Sequence, residues 1–178
     1  RNIMARSKVL DITDQSVPKK YAETKSQTLS GNNTTVATPI FRVTGSVRIT
    51  KLYAVVETAL GSNVTAAHWR SNDQTATLPI SLATGTTLSS LPAGSMLTRH
   101  SLVSVALKAD SAAAAKVVDP VAATAPDVHM PFEVVQKTGG VQTDIEFVYT
   151  TTNTPTSGVI KHYVEFEPLT ANSDLIAV

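Results

Sequence analysis

The chain has 178 residues, of which 42% are hydrophobic and 16% are charged, and its formal net charge at pH 7 is +1. Charged residues are scarcer than the usual quarter, and so small a net charge argues against bulk binding of nucleic acid. The sequence has no cysteine, which excludes a disulfide framework, a thiolate metal site and a thiol nucleophile. No apolar run approaches the ~18 residues that span a bilayer, so no membrane association is expected.

Residues 1–37 are predicted to form an extended N-terminal arm, because no hydrophobic period holds there for long. The first 25 residues contain six basic and three acidic side chains, whereas the rest of the chain contains nine basic and eleven acidic ones. A basic arm ahead of a slightly acidic body favours docking onto an acidic surface, and the alternative is a solvated tail with ordinary lysines. The candidate partner-binding residues are the apolar and basic ones of this arm, Lys8, Val9, Leu10, Ile12, Lys19 and Lys20.

A long stretch of alternating apolar and polar residues follows at 40–57. This alternation predicts one long half-buried strand, or two strands with a corner between them, and Gly45 lies where the alternation bends. The predicted apolar positions are Phe41 and Val43 on one face before the bend, and Val47, Ile49, Tyr53 and Val55 after it.

Shorter strands follow at the spacing typical of a sandwich or a barrel. They are predicted at 66–70, 76–82, 102–108, 128–137, 141–150 and 158–166. Pro79 places its strand at a sheet edge, and the turn at Thr138, Gly139 and Gly140 predicts a hairpin between 128–137 and 141–150.

Two further segments complete the predicted organisation. Residues 109–127 are an Ala/Pro-rich insertion in a β-domain that spans 38–170, and this insertion forms either one short helical turn or a projecting loop. Residues 171–178 are a C-terminal tail. Because 25 Thr and 21 Val favour a pleated surface, and no βαβ rhythm appears, the predicted fold is an all-β sandwich of jelly-roll type.

The candidates for acid–base chemistry or metal binding are few. No two of the four histidines stand at a ligand spacing, so ordinary surface or rim histidines are predicted at His68, His100, His129 and His162. Two pairs of carboxylates each share a strand face, which suits a cation or acid–base work, but acids on the solvent side of a strand are commoner. These pairs are Asp144 with Glu146 and Glu165 with Glu167. We therefore predict no catalytic residue, no metal site and no cofactor.

One tryptophan leaves two interpretations open. Trp69 lies between His68 and Arg70 on a predicted strand. It is either part of a sugar-binding surface or a half-buried strand residue, and the second interpretation is the commoner one.

Two stretches of the sequence resemble a known family. The run FRVTGSVRITKL at 41–52 is similar to the early strand pair of small virion-surface proteins of tailed bacteriophages. The short strand at 75–82 and the closing run GVIKHYVEFEPL at 158–169 extend the resemblance over residues 36–169.

This resemblance implies a capsid decoration (cement) protein, or a similar head- or spike-associated protein, with a jelly-roll-like body that assembles as a homotrimer. It implies the major capsid protein as partner, the virion surface as location after assembly in the host cytoplasm, and no catalytic residues. The N-terminal arms would spread over neighbouring capsid subunits.

Two other functions remain open from the sequence. A receptor-binding or spike-base module would recognise a glycan or another tail protein near Trp69 or through the loop at 109–126. An enzyme on a jelly-roll scaffold, such as a cupin, would need clustered His and Glu ligands, and the scattered histidines argue against it.

Overall fold

A computed structural model describes residues 21–74, 79–99, 106, 108–110, 131–137, 141–152 and 156–178. These residues form eleven β-strands in two antiparallel sheets, and no helix occurs among them. The strands are β1 (Tyr21–Thr28), β2 (Thr35–Thr44), β3 (Ser46–Thr58), β4 (Val64–Asn72), β5 (Ile80–Ser81), β6 (Met96–Thr98), β7 (Lys108–Asp110), β8 (Phe132–Val135), β9 (Thr143–Thr151), β10 (Val159–Pro168) and β11 (Asp174–Ala177).

The strand order is that of a jelly roll. In the first sheet, called the β1 sheet, the order is β1-β10-β3, and β3 then pairs with β6-β7 and with β8. In the second sheet, called the β2 sheet, the order is β11-β2-β9-β4-β5. The chain passes from sheet to sheet so that β1 pairs with β10, β2 with β9, β3 with β8 and β4 with β5, as in a long hairpin rolled into a sandwich. The predicted all-β sandwich is confirmed.

The core lies between the inner faces of the two sheets. Its largest fully buried side chains come from both sheets and, for Leu88, from the connection between β5 and β6. They are Trp69, Tyr149, Phe41, Phe147, Phe166, Ile40, Ile49, Leu52, Leu88, Leu97 and Ile145. The prediction that Phe41 and Val43 share one buried face is correct, since both are fully buried. Burial of this apolar surface is the main force that holds the sheets together.

A β-bulge in β3 reverses part of the predicted facing. Ile49 lies opposite Phe166 while Lys51 lies opposite Glu165, so Thr50 is an extra residue in β3. Beyond the bulge the buried positions alternate from Leu52 onwards. The prediction that Tyr53 and Val55 continue the apolar face of Val47 and Ile49 is therefore wrong: both lie on the outer face, where Tyr53 stacks on Tyr163 with ring centroids 4.9 Å apart.

The predicted corner at Gly45 is confirmed, since this residue joins β2 to β3 with φ = 67°. A Cβ atom there would lie 2.5 Å from the Oγ atom of Ser173 and 3.1 Å from its Cα atom. Glycine is required at the corner both by the left-handed backbone conformation and by this close approach.

The predicted hairpin between 128–137 and 141–150 is wrong. β8 pairs with β3 in the β1 sheet, whereas β9 lies between β2 and β4 in the β2 sheet. The long ladders of β9 with β2 and β4 outweigh a local pairing with the four-residue β8, so the connection crosses between the sheets. Gly139 and Gly140 lie outside the described residues.

The sandwich extends beyond its predicted bounds at both ends. Residues 21–28, assigned to the arm, form β1, which pairs with β10 over its whole length. Residues 174–177, assigned to the tail, form β11, which pairs with β2. Residues 35–37, also assigned to the arm, begin β2. Residues 1–20 of the arm, with Lys8, Val9, Leu10, Ile12, Lys19 and Lys20, lie outside the described residues, as do 111–127 of the insertion and most of the strand predicted at 102–108.

Candidate docking surface

One end of the sandwich exposes apolar side chains from several elements, and we call it the entry end. It comprises the start of β1, the β2–β3 corner, the end of β8 and the turn after β10. Tyr21 is 46% exposed, Leu169 39% and Val135 63%. Tyr21 lies opposite the buried Phe166, whereas Val135 lies opposite Ser46 on the other face of the β1 sheet. These side chains are candidates for contact with a partner, but they do not lie on one face.

An open groove of about 580 Å³ lies at the entry end. Its lining residues are Tyr21, Pro168, Thr170, Ala171, Asn172, Ser173 and Asp174. The Tyr21 ring stacks on the buried Phe166 ring at a centroid distance of 5.6 Å. The groove therefore offers an aromatic side chain, hydroxyl and amide groups and one carboxylate, a mixture suited to an extended peptide segment.

Hydrogen bonds hold the wall of this groove. The Ser173 backbone N–H donates to the Thr170 carbonyl at 3.1 Å, and the Ser46 N–H donates to the Ser173 Oγ atom at 2.8 Å. The Leu169 N–H donates to the Ser46 carbonyl at 2.9 Å. The turn after β10 is thus tied to the β2–β3 corner, so the groove is largely formed before any partner binds.

The predicted carboxylate pair on β9 is buried rather than on the solvent side. Asp144 and Glu146 share the outer face of the β2 sheet, as predicted, but they are 0% and 4% exposed. The Nε atom of Arg42 lies 3.0 Å from Asp144 Oδ1, and the Nε atom of Arg70 lies 2.6 Å from Glu146 Oε2. Each carboxylate is neutralised by an arginine from a neighbouring strand, so the pair is built as a structural ion-pair network.

Amide side chains complete this network. Asn72 donates to Glu146 Oε1 at 3.0 Å, and Gln142 donates to Asp144 Oδ2 at 2.5 Å. The two arginines could be found by sequence reasoning only if the cross-strand register were known, because Arg42 lies far from Asp144 along the chain and directly opposite it in the ladder.

The second predicted carboxylate pair also lies on an outer face. Glu165 is 2.9 Å from the Nζ atom of Lys51, and Glu167 is 3.8 Å from the Nη1 atom of Arg48. Partly exposed ion pairs of this kind stabilise a fold only weakly.

His162 is wrongly predicted as a surface or rim residue, since it is fully buried between the sheets. Its Nδ1 atom accepts a hydrogen bond from the Trp69 Nε1–H at 3.3 Å, which leaves the Nε2–H to donate to Gln27 Oε1 at 3.1 Å. Burial lowers the pKa of His162 to about 3, so the ring is neutral at pH 7.

The other predicted residues of this kind are placed as follows. The sugar-binding interpretation of Trp69 is wrong, because the side chain is fully buried. The other interpretation, a half-buried strand residue, underestimates this burial. The Nδ1 atom of His68 lies 2.8 Å from the Ala66 carbonyl oxygen. His100 and His129 lie outside the described residues.

Among the residues that the structure describes, no group of three His, Asp or Glu side chains is placed to hold a metal ion. Within the same residues there is no helix of the length and hydropathy needed to cross a membrane. Comparison of the chain with protein-family models, with curated proteins and with solved structures finds no match in any of the three.

Proposed function

We propose that this chain is a structural virion protein, a decoration (cement) protein that binds the outside of an icosahedral phage head. The proposal is supported by the likeness of residues 36–169 to small virion-surface proteins, and by a jelly-roll sandwich, a fold found in viral capsid proteins. The proposed partner is the major capsid protein, and the proposed location is the capsid surface after assembly in the host cytoplasm. No catalytic role is part of this proposal.

The proposal depends mainly on one observation: the N-terminal segment joins the sandwich at the entry end, next to the groove. Residues 1–20 hold five basic and two acidic side chains, and they connect to β1 at Tyr21, which itself lines the groove. A partner bound at the entry end would therefore meet the point at which this basic segment joins the sandwich. An acidic rim around an apolar depression on the capsid would complement both.

The proposed mechanism is stabilisation by mass action. A protein that binds the assembled shell but not its separate subunits shifts the equilibrium towards the shell. Three sandwiches around a capsid symmetry axis, each with its own N-terminal segment, would add avidity without a single strong contact.

The test uses particles of the phage that encodes this chain, made without it, to which the purified protein is added back. Co-sedimentation with the particles and their resistance to heat are measured for the full chain and for a variant that lacks residues 1–20. The deletion stops before Tyr21, because β1 belongs to the sandwich. We expect the full chain to bind and stabilise the particles, and the deletion variant to lose most of its affinity.

A second variant tests the entry end itself. Leu169→Glu places a charge among the exposed apolar side chains and should weaken particle binding, whereas Ile80→Glu, a similar change at the far edge of the β2 sheet, should not. Unchanged binding by both the deletion variant and Leu169→Glu would contradict the proposal. Binding to a glycan array instead of particles would favour the tail- or spike-base module.

A further inference from the structure

β1 is the longest edge strand among the described residues. It has eight residues and, in the part of the chain that the structure describes, it pairs with β10 alone. The other edge strands have two residues in β5, three in β7 and four in β8 and β11. A long edge strand presents a row of unpaired backbone N–H and C=O groups, to which another strand can add.

The side chains of β1 are complementary to those of a second, antiparallel copy of β1. Glu23 and Lys25 lie on the inner face and are half-buried. Neither forms an ion pair in the part of the chain that the structure describes. The outer face carries the small exposed side chains of Ala22, Thr24 and Ser26, which place no bulk across a strand-to-strand contact.

We propose that two copies of this chain pair edge to edge through β1, antiparallel and about a two-fold axis at Thr24. In this register Thr24 lies opposite Thr24 of the second copy. Glu23 lies opposite Lys25 of the second copy, and Lys25 opposite its Glu23. The two-fold axis produces the same contact twice, as a self-complementary interface requires.

The opposite signs of the charges at 23 and 25 decide between attraction and repulsion. A lysine alone on an edge strand repels a second copy and prevents such pairing. Because Glu23 lies two residues from Lys25 on the same face, each lysine faces a glutamate of the second copy, and the contact contains two attractive cross-strand pairs. Opposite charges directly across a ladder stabilise the pairing, and like charges destabilise it.

This inference goes beyond the proposed function and does not depend on it. Two-fold pairing through β1 joins two identical units. If the chain is otherwise a monomer, the product is a dimer, and if it is otherwise a trimer, two trimers are joined. Both β1 sheets then continue as one sheet across the interface.

The test is the solution mass of the full chain, measured by sedimentation and light scattering over a wide range of protein concentration. We expect the wild type to double in mass as the concentration rises. Glu23→Lys and Lys25→Glu should each raise the dissociation constant by about tenfold or more, because each converts two attractive pairs into two repulsive ones. Glu133→Lys changes the net charge as Glu23→Lys does, but on β8, and should leave the dissociation constant unchanged.

Two recombinations of the charges make the register testable. The double variant with Glu23→Lys and Lys25→Glu exchanges the charges and should recover the wild-type mass. A mixture of the two single variants should form a heterodimer, because two lysines of one chain then face two glutamates of the other. A wild type that never doubles, or single variants that pair as well as the wild type, would overturn the proposal, as would a mixture that does not associate.

Discussion

The hydroxyl group of Tyr149 holds the loop that follows β1, and its removal is a direct test of the described packing. Tyr149 is fully buried on β9. Its Oη–H donates to the Ser30 carbonyl at 2.9 Å and its Oη atom accepts from the Ser30 N–H at 2.9 Å. Tyr149→Phe removes both hydrogen bonds and changes the shape of the core by one oxygen atom.

The expected loss follows from these two bonds. A typical hydrogen bond contributes about 0.5–1.5 kcal/mol net, and because Ser30 is exposed, water can partly replace the lost hydroxyl. We therefore expect Tyr149→Phe to lower the free energy of unfolding by about 1–2 kcal/mol, which corresponds to a fall in Tm of about 3–6 °C for a chain of this size.

Urea unfolding followed by tryptophan fluorescence measures this loss, since Trp69 is the one tryptophan in the sequence and is buried. Tyr163→Phe is the matched control: this half-buried tyrosine stacks on Tyr53 at the outer face, so its loss should stay within about 0.5 kcal/mol. Equal stabilities of the Tyr149→Phe and Tyr163→Phe variants would show that the Tyr149 hydroxyl does not hold the loop.

Three further changes test other parts of the fold by the same unfolding measurement. Gly45→Ala should lower the free energy of unfolding by about 1–3 kcal/mol, because of the left-handed backbone and the clash with the turn after β10. Gly61→Ala should lower it less, because the new Cβ atom would first meet movable side chains. Equal losses in the two variants would contradict this. Arg42→Met should lower the free energy of unfolding by at least about 1 kcal/mol more than Asp144→Asn does. The methionine leaves a buried carboxylate without its arginine, whereas the asparagine leaves only a partly exposed guanidinium without its carboxylate. A larger loss from Asp144→Asn than from Arg42→Met would be evidence against the network. Burial lowers the pKa of His162 in the folded chain to about 3, below the ordinary 6.5, so the unfolded chain binds a proton at a higher pH than the folded chain does. The free energy of unfolding should therefore fall as the pH drops below 6.5, by about 2 kcal/mol at pH 5. A His162→Gln variant with the same pH dependence would refute this origin.

The sequence predicts those parts of the fold that depend on local periodicity. Alternation around Phe41 and Val43 locates β2, and the bend at Gly45 locates the corner. β1 escapes this reasoning because an edge strand has little apolar surface to bury, and its inner face carries Glu23 and Lys25. The facing of Tyr53 is missed because the bulge in β3 has no local signature.

The buried polar groups depend on pairing between distant parts of the chain. From the sequence alone Asp144 is predicted to be a solvent-side acid, because only the β2–β9 ladder shows that Arg42 lies beside it. His162 is predicted to be a surface residue, because only the packing of the second sheet shows that Trp69 covers it. In both cases the deciding neighbour belongs to another strand, and its register is not written in the local sequence.

The pairing of β1 with β10 has a consequence for how the protein is made. Tyr21 lies opposite Phe166 and Thr28 opposite Val159, so β1, the first described strand, can pair only after β10, the second-last described strand, has been synthesised. During synthesis the β1 sheet lacks the strand between β1 and β3 until β10 itself has left the ribosome, and a ladder that joins such distant segments forms slowly. A ribosome that stops before residue 159 would therefore release a chain in which β3 has an open edge and the β1 sheet has no partner for its first strand.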